Sequence, residues 1–194
     1  MLLPRPNNLA YLLILLLLII STKQSGSIKT YSVNVIAGQS GVTGNINSLG
    51  TYSTFNGLYG IAVDKRTSNI YIADSGNHVI RLVNTIGVSS TFAGVMGSPG
   101  GDDGFGTSAK FNWPAAVVVN NYDSNLYVAD RVCRAIRKIS LSTSAVSVFS
   151  GDIGSPGMVD GSASDARFSE IYGIAAHSSD GTIFVSDIAY HNIR

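Results

Sequence analysis

The chain has 194 residues, a formal net charge of +1 and only 13% charged residues. No run of Lys or Arg is present to track phosphates, which excludes nucleic-acid binding of the usual electrostatic kind. The single cysteine, Cys133, excludes an internal disulfide framework, and the three histidines are too scattered to form a zinc site.

Residues 9–20 are an uninterrupted apolar run, preceded by Arg5 and followed by polar residues from Ser21 onward. A spanning helix takes about 20 apolar residues, whereas the core of a secretory signal takes about 7–15. The run therefore predicts a signal peptide over 1–27, with Ser25 and Ser27 as the small residues before cleavage at Ile28. The alternative is a retained signal-anchor, a membrane tether with Lys23 reaching the interface. Either reading puts the rest of the chain on the secreted or extracellular side of a membrane. No Asn-X-Ser/Thr acceptor offers independent support.

Residues 28–194 repeat one phrase. Phe55, Phe111 and Phe168 are 56 and 57 residues apart, and the sets Asp74, Asp130, Asp187 and Gly38, Gly94, Gly151 keep the same spacings. A fixed period of this size signals one supersecondary unit per repeat. The first copy predicts strands at 60–63, 70–73, 79–83 and 88–92, with Gly, Asn, Asp and Ser in the gaps as tight turns require. Residues 31–38 alternate like a further outer strand, equivalent to 88–94 and 146–151. Four short antiparallel strands per repeat, without helices between them, predict an all-β fold of propeller blades near 55–94, 111–151 and 168–194. The innermost strand of each (61–63, 117–119, 174–176) is continuously apolar, as neighbours covering both faces demand. Long Gly-rich connections at 95–110 and 152–167 precede the second and third copies. The corresponding stretch at 39–55 keeps Gly44 but lacks the Asp-Gly pair.

These phrases resemble NHL repeats. The matching words are Asp103-Gly104 and Asp160-Gly161, Ala109-Lys-Phe111 and Ala166-Arg-Phe168, and Gly60-Ile-Ala62 and Gly173-Ile-Ala175. They are followed by Ile-Tyr-Ile-Ala-Asp74 and Leu-Tyr-Val-Ala-Asp130, then by Asn77-His78 and Ile80-Arg81. Asn77-His78 becomes Cys133-Arg134 and Tyr190-His191 in the later copies. The resemblance implies an NHL-type β-propeller, usually of six blades, of which this chain holds about three and is thus a fragment. It further implies a non-catalytic scaffold that binds a protein or small ligand through top-face loops. Two alternatives accompany that reading: a propeller enzyme whose active site lies in other blades, or the ectodomain of a receptor. The peptidyl-hydroxyglycine lyase of this repeat class needs channel histidines. Here only His177 ends an innermost strand, and its repeat mates are Asp64 and Asn120. The Gly-X-Ser-X-Gly nucleophile elbow is absent as well.

Asp74/Arg81, Asp130/Arg137 and Asp187/Arg194 share a seven-residue spacing and are expected to be structural ion pairs, one per repeat. Asp102, Asp103, Trp113, Asp160 and Asp165 are the candidates for binding on the loops. The acids would suit Ca²⁺, yet their spacing matches no calcium loop and Asp-Gly is ordinary turn chemistry. Trp113 and Phe111 read first as core packing, since the Phe recurs in every repeat. Cys133 reads as a free thiol in a turn. No cofactor, metal or catalytic residue is assigned.

Overall fold

The computed structural model describes residues 31–194. The signal or anchor expected over 1–27 lies outside the described residues, among which no helix is long and apolar enough to cross a membrane.

Twelve strands follow in chain order. The first sheet contains β1 (Leu58–Val63), β2 (Ile70–Asp74), β3 (Val79–Val83) and β4 (Ser89–Ala93), side by side in that order and antiparallel. The second contains β6 (Pro114–Asn120), β7 (Asn125–Asp130), β8 (Ala135–Ser140) and β9 (Ala145–Ser150). A two-residue strand, β5 (Gly104–Phe105), lies on the outer edge of β9. The third sheet has β10 (Ile171–Ala176), β11 (Ile183–Asp187) and the short β12 (Asn192–Ile193). The first two repeats, expected to have four strands each, have four and five, and the third, expected to reach only its third strand, has three.

Alternation along the central strands explains how the sheets stack. On β7, Leu126 and Val128 join Tyr71, Ala73, Ile80 and Ala93 of the first sheet in one core. The intervening Tyr127 and Ala129 join Ile171 and Val185 of the third in another. A strand buried on both faces needs apolar residues at every position, each worth about 1.5–3 kcal/mol when fully buried. The sheets come closest at the innermost strands, where β6 lies between β1 and β10. A Cβ on Gly60 would sit 2.5 Å from the Ala116 Cα, so only glycine fits at that contact.

The glycines that set the period have a conformational reason. Gly38, Gly94 and Gly151 have φ of +104°, +104° and +102°, a region closed to side chains. Each donates its N–H to a carbonyl of the following loop: Gly50, Gly106 and Ala163 respectively. Residues 31–38, expected as an outer strand, form no ladder. Residues 31–34 are exposed, and only the terminal Gly38 turn keeps the repeat's geometry. A strand needs a backbone partner, and this segment has none in the described sheets.

The Gly-rich loops also depart from the expectation of open surface. Through β5 the loop at 95–110 covers the edge of β9, followed by a 3₁₀ turn at Gly106–Ser108. The stretch before the first sheet does the same despite its missing Asp-Gly, with a Leu49–Val88 bridge and a 3₁₀ turn at Gly50–Tyr52.

Candidate functional site

Each repeat uses its arginine as a clamp. Arg81, fully buried on β3, bonds Asp74 at 2.9 Å and the carbonyls of Thr54 and Ile46 at 3.2 and 3.0 Å. Arg137, fully buried on β8, is 3.4 Å from Asp130, 3.0 Å from the Lys110 carbonyl and 3.2 Å from that of Asp102. The guanidiniums lie over Phe55 and Phe111, with ring centroids at 4.6 and 5.4 Å. The aspartates in turn accept the N–H groups of Asn56 and Asn112. One charge pair thus ties two strands to the loop that leads into the sheet.

The third pair is a correction. Arg194 bonds the equivalent carbonyls of Arg167 and Val159 and lies over Phe168, but its carboxylate partner is Asp160 at 2.6 Å, not Asp187. Asp187 is already satisfied by three backbone N–H groups, those of Ser169, Glu170 and Ala189, where Asp74 and Asp130 each accept one from the lead-in loop.

The proposed loop acids are largely engaged as well. Asp103 bonds Arg137 at 2.7 Å, in the same relation as Asp160 to Arg194. Asp102 pairs with Lys110 at 2.8 Å, and that ammonium holds its carboxyl below the usual carboxylate range. Asp165 accepts the Ser162 hydroxyl at 2.6 Å on an exposed turn. Among the described residues no group of three or more His, Cys, Asp or Glu could hold a metal ion.

Cys133 occupies the place of Asn77. The Asn77 amide donates both to Asp74, at 2.9 Å, and to the Gly44 carbonyl, at 2.8 Å. The buried thiol has one proton and donates to the Gly100 carbonyl. Burial pushes Asp130 up to about 7, against the opposing Asn112 N–H, the Arg137 charge, which is shared with Asp103, and the Cys133 thiol, whose one proton also faces the Gly100 carbonyl. Burial raises the Cys133 thiol far above its ordinary range, which disfavours the reactive thiolate.

A different cluster emerges where the innermost strands begin. β1, β6 and β10 are each bulged against their partner strand at one place, between Leu58 and Ile61, Pro114 and Ala116, and Ile171 and Gly173. The residues released from the ladder include Tyr59, Ala115 and Tyr172. Bulges re-aim side chains, and the rings of Tyr59 and Tyr172 meet at a centroid distance of 6.4 Å although they belong to the first and third sheets. The equivalent residue between them, Ala115, is small and buried. Arg131, which follows β7, lies over the Tyr172 ring at 4.7 Å and grips Oε1 of Glu170 through both Nε, at 2.8 Å, and Nη2.

Trp113 lies on this same side, in the turn leading into β6. It is 40% exposed at φ +56°, with its ring edge-on to His78 at 5.6 Å. That corrects the core-packing expectation: the left-handed turn swings the indole out while Phe111, two residues earlier, is fully buried. The Trp113 backbone N–H donates to His78 Nδ1, and burial lowers the His78 pKa, in keeping with a neutral acceptor ring. Trp113 was marked by sequence. The bulges were not, because the middle copy carries an alanine.

Radially stacked antiparallel sheets, meeting at their innermost strands and repeating one clamp, define a β-propeller built of NHL-like repeats. The comparisons agree. The chain is 29% identical over 107 residues to NHL repeat-containing protein 2 of Bos taurus, and 29% over 106 residues to that of Homo sapiens. These stretches cover 55% and 54% of this chain but only 15% of either relative. No protein-family model matches the chain. Among solved structures, a protein of unknown function from Bacteroides thetaiotaomicron superposes with a TM-score of 0.70 at 24% identity, covering 85% of this chain and 39% of its own. A structure described as an auxiliary nutrient binding protein from Bacteroides ovatus gives 0.63 at 23% identity, over 75% and 38%.

Proposed function

We propose that this chain contributes blades to a non-catalytic propeller scaffold that binds a protein or small ligand at the hub face, outside the cytosol. The observation that carries the reading is the bulge repeated on all three innermost strands, which brings Tyr59 and Tyr172 together beside the Arg131–Glu170 pair. Binding sites combine apolar and aromatic walls with a few placed polar groups, and this cluster offers both. The arginine clamps, by contrast, are consumed by the fold. The apolar run at 9–20 supports the location, and the nutrient binding ascribed to the Bacteroides ovatus protein is consistent with this use of the fold.

The test is a mixed array of immobilised glycans and random-sequence peptides, probed with the wild-type protein and with Tyr172→Ala. Saturable binding that the variant loses supports the hub face. Binding that survives in the variant places the site elsewhere.

A further inference from the structure

We infer that the hub-face cluster is a subsite for a neutral, hydroxyl-rich ring, the hexopyranose unit of a glycan; this rests on the binding reading above and narrows it to one ligand class. Three observations choose that class. First, Tyr59 is 54% exposed, and the half-buried Tyr172 ring stands beside it at 60° with Arg131 over its face, so Tyr59 offers an open aromatic face walled on one side. Aromatic faces of this kind take the C–H face of a sugar ring, burying apolar area while leaving its hydroxyl edge open.

Second, the polar pair next to this face is neutral as a unit. Arg131 already lies over Tyr172, which disfavours a cationic ligand, and Glu170 already compensates Arg131, which disfavours an anionic one. Third, the pair is incompletely used. Both guanidinium contacts converge on Glu170 Oε1, leaving Oε2 and Arg131 Nη1 without a hydrogen-bond partner among the described residues. The free acceptor on Glu170 and the free donor on Arg131 can each meet a hydroxyl, the groups that a pyranose carries in number. The side chains remain about one-third exposed, so a ligand can reach them.

The inference is tested by calorimetric titration of the protein with maltohexaose, cellohexaose and mannohexaose, with sialyllactose as the anionic comparison. Wild type should bind at least one neutral oligosaccharide. Tyr172→Ala and Glu170→Gln should each weaken that binding about tenfold or more, and Tyr122→Ala, in the turn between β6 and β7, should leave it unchanged. Circular dichroism melts guard against misfolding, with the more exposed Tyr59→Ala as the second variant if Tyr172→Ala does not fold. Absence of neutral-glycan binding, preference for the anionic sugar, or binding indifferent to both tyrosines overturns the inference. Peptide binding on the array that Tyr172→Ala abolishes, with no glycan bound, overturns the ligand class and leaves the hub-face scaffold standing. Loss of neither overturns both.

Discussion

At Cys133 a single substitution within the repeat changes the electrostatics of a buried carboxylate. Asn77 has two amide N–H groups, one for Asp74 and one for the Gly44 carbonyl, whereas Cys133 has one proton for Asp130 and the Gly100 carbonyl together, and Asp130 also shares its arginine with Asp103. Burial therefore prevails at Asp130 and raises it to about 7 from an ordinary 3.8. The sign follows from linkage: between those values the folded state holds a proton that the unfolded chain has released, so stability falls as pH rises through the window. Cys133→Asn should restore the second bond, raise stability at pH 8 by about 1 kcal/mol and flatten the decline. Urea unfolding at several pH values between 4 and 8 measures both. A decline equally steep in the variant would show that the thiol is not its cause.

Among the elements, the turn that ends each outer strand shows most clearly how the period arises. Gly94 combines φ +104° with a Cβ position 2.9 Å from the His78 carbonyl and 3.0 Å from Val79. Gly97, three residues on, has φ +70° and open space around it. Gly94→Ala should therefore cost about 3 kcal/mol or more, from strain plus displacement of β3, and Gly97→Ala about 1 kcal/mol. Chemical-denaturation midpoints compare the two, and equal losses would mean that the close approach to Val79 is not limiting. The outer strands also show where alternation misleads. Residues 31–38 have the pattern of β4 and β9, but pattern creates only the capacity to pair, and they join none of the described sheets.

For the whole molecule, much of the fold was legible because each repeat solves the same packing problem with the same residues. Spacing located the phenylalanines under the guanidiniums, the glycine turns and the seven-residue Asp/Arg relation. It did not show that the arginines reach backbone carbonyls 27 and 35 residues upstream, since a carbonyl carries no residue identity. Nor did it show that three backbone donors release Arg194 from Asp187 to Asp160. The hub cluster was hidden for a related reason. A bulge has no compositional mark, and Tyr59 and Tyr172 meet only because the sheets between them converge.

The central claim is a division of labour: buried arginines hold the blades, and the bulge-presented tyrosines are spared for binding. Thermal melting of Arg137→Ala, Lys138→Ala and Tyr172→Ala tests it directly. Removing one partner of a buried pair costs roughly 3–5 kcal/mol, which in a domain of this size lowers Tm by about 6–20 °C. The account predicts that fall for Arg137→Ala, a shift of no more than about 2 °C for Lys138→Ala, since surface substitutions stay within about 0.5 kcal/mol, and for the half-buried Tyr172→Ala a fall clearly smaller than that of Arg137→Ala. A Tyr172→Ala protein that melts as early as Arg137→Ala would contradict it, because the tyrosine would then belong to the framework.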